Sequence, residues 1–211
     1  MGRIKLAMVG MGNCASSLLQ GNHYYREEGV RKPQGLMHWD IGGYSPGDME
    51  VVAALDIDRR KVGSDVSEAI FMEPNCTRVF YPGIPEHGVT VRMGRVLDGV
   101  SEHMRQYGEK DTFLPAGDPE PDQEEVVRLF RESGADILVN YLPVGAERAT
   151  RFYAECALQA GLAMVNCIPV FIASDGHWAS RFRESGLPIV GDDIKSQLGA
   201  TILHRALAEL F

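Results

Sequence analysis

Apolar residues along the chain fall into short, nearly unbroken runs separated by stretches of helical period. Ile4 to Val9, Val51 to Leu55, Ile137 to Val139, Leu162 to Val165 and Leu187 to Val190 are the runs. Near-continuous apolar character over so few residues marks strands covered on both faces, as in a parallel sheet. Between them, Asn13 to Gln20, Ser64 to Phe71, Asp122 to Ser133, Ala146 to Ala160 and Ser174 to Ser185 space their apolar positions as helices do. Strands alternating with helices predict right-handed crossovers and a parallel α/β sheet.

Two stretches interrupt the rhythm. Gly21 to Asp48 carries His23, Tyr24, Tyr25, Trp39 and Tyr44 among several glycines, and reads as an insertion between the first helix and the second strand. A structureless loop of this length is uncommon inside a compact domain, so the insertion either builds part of a site, docks on another subunit or packs as a surface excursion. Pro74 to Pro121 is punctuated by Pro82, Pro85, Pro115 and Pro119 and is irregular apart from one predicted strand, Val89 to Met93. Ser196 to Phe211 again has helical period, yet it reaches Leu210-Phe211 with neither a capping glycine nor a polar tail. That ending predicts a chain cut short.

With 211 residues, 45% of them hydrophobic and 24% charged, the chain has enough apolar surface for a sizeable core. A net charge of -8 provides no electrostatic footprint for nucleic acid or an anionic membrane. The four cysteines, Cys14, Cys76, Cys156 and Cys167, lack the spacing of a disulfide framework or a zinc site and read as thiols of a reducing compartment. The amino terminus lacks a signal-peptide pattern and no apolar run approaches membrane-spanning length. The expectation is a soluble, cytoplasmic protein that meets neither nucleic acid nor membrane.

Directly after the first predicted strand stands Gly10-Met11-Gly12-Asn13-Cys14-Ala15, a Gly-x-Gly-x-x-Ala strand-to-helix turn. In such a turn Gly10 permits the tight bend, Gly12 lets backbone approach a pyrophosphate, and Ala15 keeps the helix close to the sheet, while helix-start N–H groups face the phosphates. Ser16 and Ser17 add hydroxyls. The second strand ends in Asp56, where a ribose diol would lie or, alternatively, where the carboxylate caps the turn that follows. Its distance from Gly10 exceeds the usual roughly 20 residues, and removing residues 21–48 restores ordinary spacing. An acid there favours NAD over NADP, against which Arg59 and Arg60 stand just beyond. The fold class predicted is therefore a Rossmann-like, doubly wound parallel sheet, with residues 1–211 as one NAD-binding domain.

Ligands of open parallel sheets meet the carboxyl ends of the strands. Three further loops lie there: Asn140-Tyr141, Asn166-Cys167, and Gly191 to Gln197. Asn140 and Asn166 either bond a cofactor or form turns with nearby backbone. Asp192, Asp193 and Lys195 concentrate charge at a helix start, suited to proton transfer or oxyanion stabilisation; alternatively Asp193 is an N-cap and Lys195 is solvated. Cys14 has no placed His and acid to activate it, and His204 reads as structural.

Gly10-Met-Gly-Asn-Cys-Ala-Ser-Ser-Leu18, Asn140-Tyr-Leu-Pro-Val-Gly145, Pro169-Val-Phe-Ile-Ala-Ser174 and Gly191-Asp-Asp-Ile-Lys-Ser-Gln-Leu-Gly-Ala-Thr201 together resemble the myo-inositol-1-phosphate synthase family, specifically its prokaryotic branch. Gly42-Gly43-Tyr44 fits the same branch, and the resemblance runs essentially the whole chain. It implies an isomerase that turns D-glucose 6-phosphate into 1D-myo-inositol 3-phosphate: bound NAD oxidises the sugar at C5, enolisation and an intramolecular aldol close the ring, and the hydride returns. It also implies that Lys195 transfers protons or stabilises oxyanion charge, with Asp192 and Asp193 orienting it or the nicotinamide. Gly10, Gly12, Asn13, Cys14, Ala15, Ser16, Asp56, Asn140, Tyr141 and Ser174 would bind NAD. Some members use a divalent metal ion, for which these residues offer no ligand cluster. The family assembles as homotetramers and continues past the position of Phe211 into a segment with further active-site lysines and much of the subunit interface. A catalytically silent NAD-binding module is therefore a second expectation. An ordinary dehydrogenase is a third, which leaves Gly191 to Thr201 unexplained.

Overall fold

A computed structural model describes residues 2–27, 36, 38–100, 102–193 and 200–211. Among them six parallel strands form one sheet: β1 (Ile4–Val9), β2 (Met49–Asp56), β3 (Val91–Met93), β4 (Ile137–Asn140), β5 (Ala163–Asn166) and β6 (Ile189–Val190). Their order, β3-β2-β1-β4-β5-β6, is that of the doubly wound nucleotide-binding sheet, and the order reverses between β1 and β4. The helices are α1 (Asn13–Tyr24), α2 (Val66–Ala69), α3 (Gln123–Ser133), α4 (Glu147–Ala160), α5 (Gly176–Glu184) and α6 (Ala200–Leu210).

The period-two alternation of β1 divides the core between the two faces of the sheet. Ala7 and Val9 join Phe130 of α3, Tyr153 and Ala157 of α4 and Phe182 of α5. Leu6 and Met8 join Ala15 and Leu19 of α1 and Val66 and Ala69 of α2. The helix ends follow local chemistry. Asp122 and Glu125 form a capping box at the start of α3, which stops at Gly134 with φ 65°. Gly161, φ 81°, ends α4, and Asp175 caps α5 by accepting from the N–H groups of His177 and Trp178. Arg181 donates to both carboxylate oxygens of Glu155, at 2.6 and 2.9 Å, fastening α5 to α4.

The first helix is longer than its sequence pattern predicts: α1 runs on through Gly21 to Tyr24. Its last turn is held from outside. Asn22 donates to the carbonyls of Pro46 and Met49 at 2.6 and 3.2 Å, so the end of the 21–48 stretch packs on α1 rather than hanging free. Buried His23 lies 3.2 Å from His87 between Nε2 atoms and stacks on Tyr81, which ties the irregular 74–121 stretch to the same helix. Burial, seconded by His87 and Arg26, lowers His23 to about 4, so it stays neutral at physiological pH. Within the irregular stretch the structure confirms a short strand, β3, and adds a 3-10 turn, Glu102–Gln106.

Candidate functional site

A cleft of about 650 Å³ opens where the carboxyl ends of the central strands meet. The β1–α1 turn lines it through Gly10, Gly12, Asn13 and Cys14, the end of β2 through Asp56 and Lys61, and the turns after β4 and β5 through Tyr141 and Cys167. Asn75 and Cys76 on one side and Lys110 and Asp111 on the other form further walls.

The two glycines of the turn do different work. Gly10 has φ 87°, and a Cβ there would sit 2.5 Å from the Tyr141 carbonyl oxygen. Its N–H donates to Leu55 O at 2.9 Å, so the turn is wedged between the ends of β2 and β4. At Gly12 a Cβ would meet nothing within 4 Å. Gly12 is also the N-cap of α1, and no side chain caps that helix. The helix start therefore presents backbone N–H groups and the positive end of the helix dipole without a side chain in the way, as a phosphate requires.

Asp56 holds this turn in place. One carboxylate oxygen accepts from Met11 N–H at 2.6 Å, and the other from the N–H groups of Ile57 and Asp58 at 2.7 and 2.9 Å. A carboxylate has about four acceptor positions, so with three filled, capacity for one further hydroxyl remains. Next to it is a residue that sequence reasoning passed over. Lys61, 2% exposed, donates from Nζ to Met11 O at 2.7 Å. In the sequence it follows Arg59 and Arg60 with no motif to set it apart. Arg60 in fact closes on buried Asp58 with Nε and an η nitrogen at 2.8 and 2.6 Å, and on the carbonyls of Glu109 and Thr112. Burial works against the Asp58 carboxylate, but hydrogen bonds from Arg60 and Leu114 N–H hold it below its usual range. Arg60 is thus committed to the fold, while exposed Arg59 sits 3.7 Å from Glu109.

The remaining predicted residues separate into those at the cleft and those behind it. Asn13 bonds the neighbouring wall, accepting from Cys76 N–H at 2.9 Å. Burial raises the Cys14 thiol above its ordinary value, and Tyr141 is pushed well up by the same cause, so both remain protonated at neutral pH. Ala15 is fully buried where α1 meets the sheet. Ser16 does not line the cleft: it is buried and accepts from Gln20 Nε2 at 3.0 Å.

Asn140 is also behind the cleft wall, buried, donating to Asn166 Oδ1 at 2.8 Å and accepting from Leu142 N–H at 3.1 Å. The turn-forming alternative describes it. Asn166 in turn donates to Asp192 Oδ1 at 2.6 Å. Asp192 additionally accepts from the N–H groups of Ile172, Ala173 and Ser174 at 3.0, 3.0 and 3.1 Å. Burial raises its pKa, but these donors outweigh burial and keep it below the usual carboxylate range. A carboxylate so saturated is a structural acceptor, and it is absent from the cleft lining. Ser174 is exposed and serves through its backbone. Asp193 does line the cleft, at φ 75°. Lys195 lies outside the described residues.

The sheet order, the bare helix start and the acid at the end of β2 meet at this one cleft. No family model matches the chain. Inositol-3-phosphate synthase of Mycolicibacterium smegmatis is 50% identical over 212 residues, which cover 100% of this chain and 56% of that protein. The chain is related to the inositol-3-phosphate synthase family. The synthase of Corynebacterium glutamicum is 48% identical, over 99% of this chain and 55% of its own length. The chain thus spans about half the length of the synthases it matches. Among solved structures, Ari2 superposes with a TM-score of 0.84 at 34% identity, over 99% of this chain and 59% of its own. A myo-inositol-1-phosphate synthase-related protein from Thermotoga maritima shares the fold with a TM-score of 0.68 at 24% identity, again over 59% of that chain.

Proposed function

We propose that the cleft binds NAD and that the chain is the nucleotide-binding part of an inositol-3-phosphate synthase, which isomerises D-glucose 6-phosphate to 1D-myo-inositol 3-phosphate in inositol and phospholipid biosynthesis. The observation that carries the reading is the juxtaposition of the uncapped α1 start, open at Gly12, with Asp56 at the end of the neighbouring strand. When bound, NAD supplies a reversible hydride acceptor for the sugar. The N–H groups from Gly12 to Cys14 hold the pyrophosphate, Asp56 accepts from a ribose hydroxyl, and Tyr141 and Cys167 pack at the opposite wall. Asp193 and Lys195 are proposed to act at the sugar, moving protons and steadying oxyanion charge. Homotetrameric assembly and a cytoplasmic location are part of the same proposal, on the family resemblance. Among the described residues no three His, Cys, Asp or Glu side chains gather to hold a metal ion, and no residue is assigned to one. Among them, too, no helix is long and apolar enough to cross a membrane.

Calorimetric titration tests the site. NAD is expected to bind saturably, and NADP at least roughly tenfold more weakly, because its 2′-phosphate would meet Asp56 with Arg60 already engaged. Equal affinities would contradict the Asp56 assignment, and no NAD binding would sink the cofactor site. Glucose 6-phosphate added to the same sample separates two readings: product without net NADH supports the synthase, and binding without turnover supports a cofactor module.

A further inference from the structure

Among the charged groups around the cleft, Lys61 is the one whose burial the reading above leaves without a purpose. The residue is 2% exposed and its ammonium bonds the Met11 carbonyl at 2.7 Å, while Asp56 takes the Met11 N–H at 2.6 Å. Both polar backbone groups of Met11, the middle residue of Gly10-Met11-Gly12, are thus gripped by opposite charges. A peptide unit is planar, and in its trans form the C=O and N–H lie on opposite edges. Holding the Met11 carbonyl toward Lys61 therefore turns the Gly12 N–H away from it, at a residue where an added Cβ would meet nothing within 4 Å.

We infer that Lys61 is a positioning residue for the cofactor: through the Met11–Gly12 peptide it aims the Gly12 N–H at the pyrophosphate and sets a buried positive charge beneath it. This rests on the proposed NAD site. A neutral donor would orient the peptide equally well, so the charge has its own consequence. Burial lowers Lys61 from 10.5, opposed by Asp56 and Asp58 and reinforced by Arg60. Lys110, Asp111, Asp193, Arg95 and Cys14 also face the cleft. An anionic pyrophosphate arriving above the ammonium favours its protonated form and moves its titration back up. Between the free and bound values, binding takes up a proton, so NAD affinity is level at lower pH and falls as pH rises through the free value.

The test is NAD titration from about pH 7 to about pH 10, with proton uptake read from buffers of different ionisation heat, for the wild type, Lys61→Met and Lys61→Arg. At neutral pH Lys61→Met is expected to bind roughly tenfold or more weakly, the loss of one charge-assisted hydrogen bond. Its affinity should lack the alkaline fall and its binding the proton uptake. Lys61→Arg should regain part of the affinity without the fall, since a guanidinium does not titrate in this range. If Lys61→Met does not fold, Lys61→Arg carries the same comparison. Cys14 is intact in every variant, so a fall that persists in Lys61→Arg belongs to another group and overturns the inference, as does wild-type affinity in Lys61→Met. Absence of NAD binding by the wild type overturns the NAD site itself and this inference with it.

Discussion

Alanine at Gly10 is expected to destabilise the chain by about 3 kcal/mol or more and to abolish NAD binding, whereas alanine at Gly12 is expected to cost only about 0.5–1 kcal/mol, the difference between glycine and alanine at an N-cap. The two positions are separated by a single residue, and what differs is the space around them. At Gly10 a new methyl would stand 2.5 Å from the Tyr141 carbonyl oxygen, which is backbone and has no rotamer to escape into. The φ of 87° adds strain that an L side chain rarely tolerates. Relief requires moving the end of β4 or the turn itself, and either displaces the N–H groups at the start of α1. At Gly12, with φ -91°, the methyl enters open space, which is the space a phosphate needs. Gly12→Ala should therefore fold normally and bind NAD roughly tenfold or more weakly. Thermal melts and calorimetry on the two variants check both halves. Equal destabilisation, or a Gly12→Ala variant with undiminished affinity, would contradict the division of labour.

Asp192→Asn is expected to cost about 2–4 kcal/mol of stability. The wild-type carboxylate accepts from Asn166 and from three successive backbone N–H groups, Ile172 to Ser174. An amide offers one acceptor oxygen and turns an NH₂ donor toward other donors. The effect carries a pH signature. Asp192 is depressed in the folded chain, so its stabilising contribution is present above the unfolded value of roughly 3.9 and is lost as pH falls through the lower folded value. Melting temperature as a function of pH should show a shallower acid fall in the variant than in the wild type. If Asp192 were instead a proton relay, the substitution would reduce turnover with the melting curve unmoved, and the structural assignment would fail.

These two sites also show what was legible beforehand. The strands read at Ile4 to Val9 and Ile137 to Val139, the helix read at Ala146 to Ala160 and the fold class follow from local pattern and lie within one residue of β1, β4 and α4, because each element's own residues specify it. The Gly-rich turn and Asp56 were legible for the same reason: a fixed spacing meets a fixed geometry once residues 21–48 are set aside. The extension of α1 to Tyr24 was not, because its last turn is held by Pro46 and Met49 from beyond the excursion. Asp192 and Asp193 are indistinguishable as letters. Only the backbone path, with Gly191 at φ 154° and Asp193 at φ 75°, sends the first behind the wall and brings the second to the cleft. Asn140 and Ser16 have side chains suited to either role, and their tertiary partners, Asn166 and Gln20, decided. Lys61 was hidden most completely. Its burial and its bond to the Met11 carbonyl join residues 50 positions apart, a tertiary contact that no neighbouring residue announces.

The most direct measurement is the backbone amide spectrum of the ¹⁵N-labelled chain titrated with NAD. Saturable shifts are expected at Gly12, Asn13 and Cys14 and at Ile57 and Asp58, whose N–H groups rest on Asp56, with α5 left unmoved. Shifts confined to other surfaces, or none up to millimolar NAD, would contradict a dinucleotide site at the start of α1.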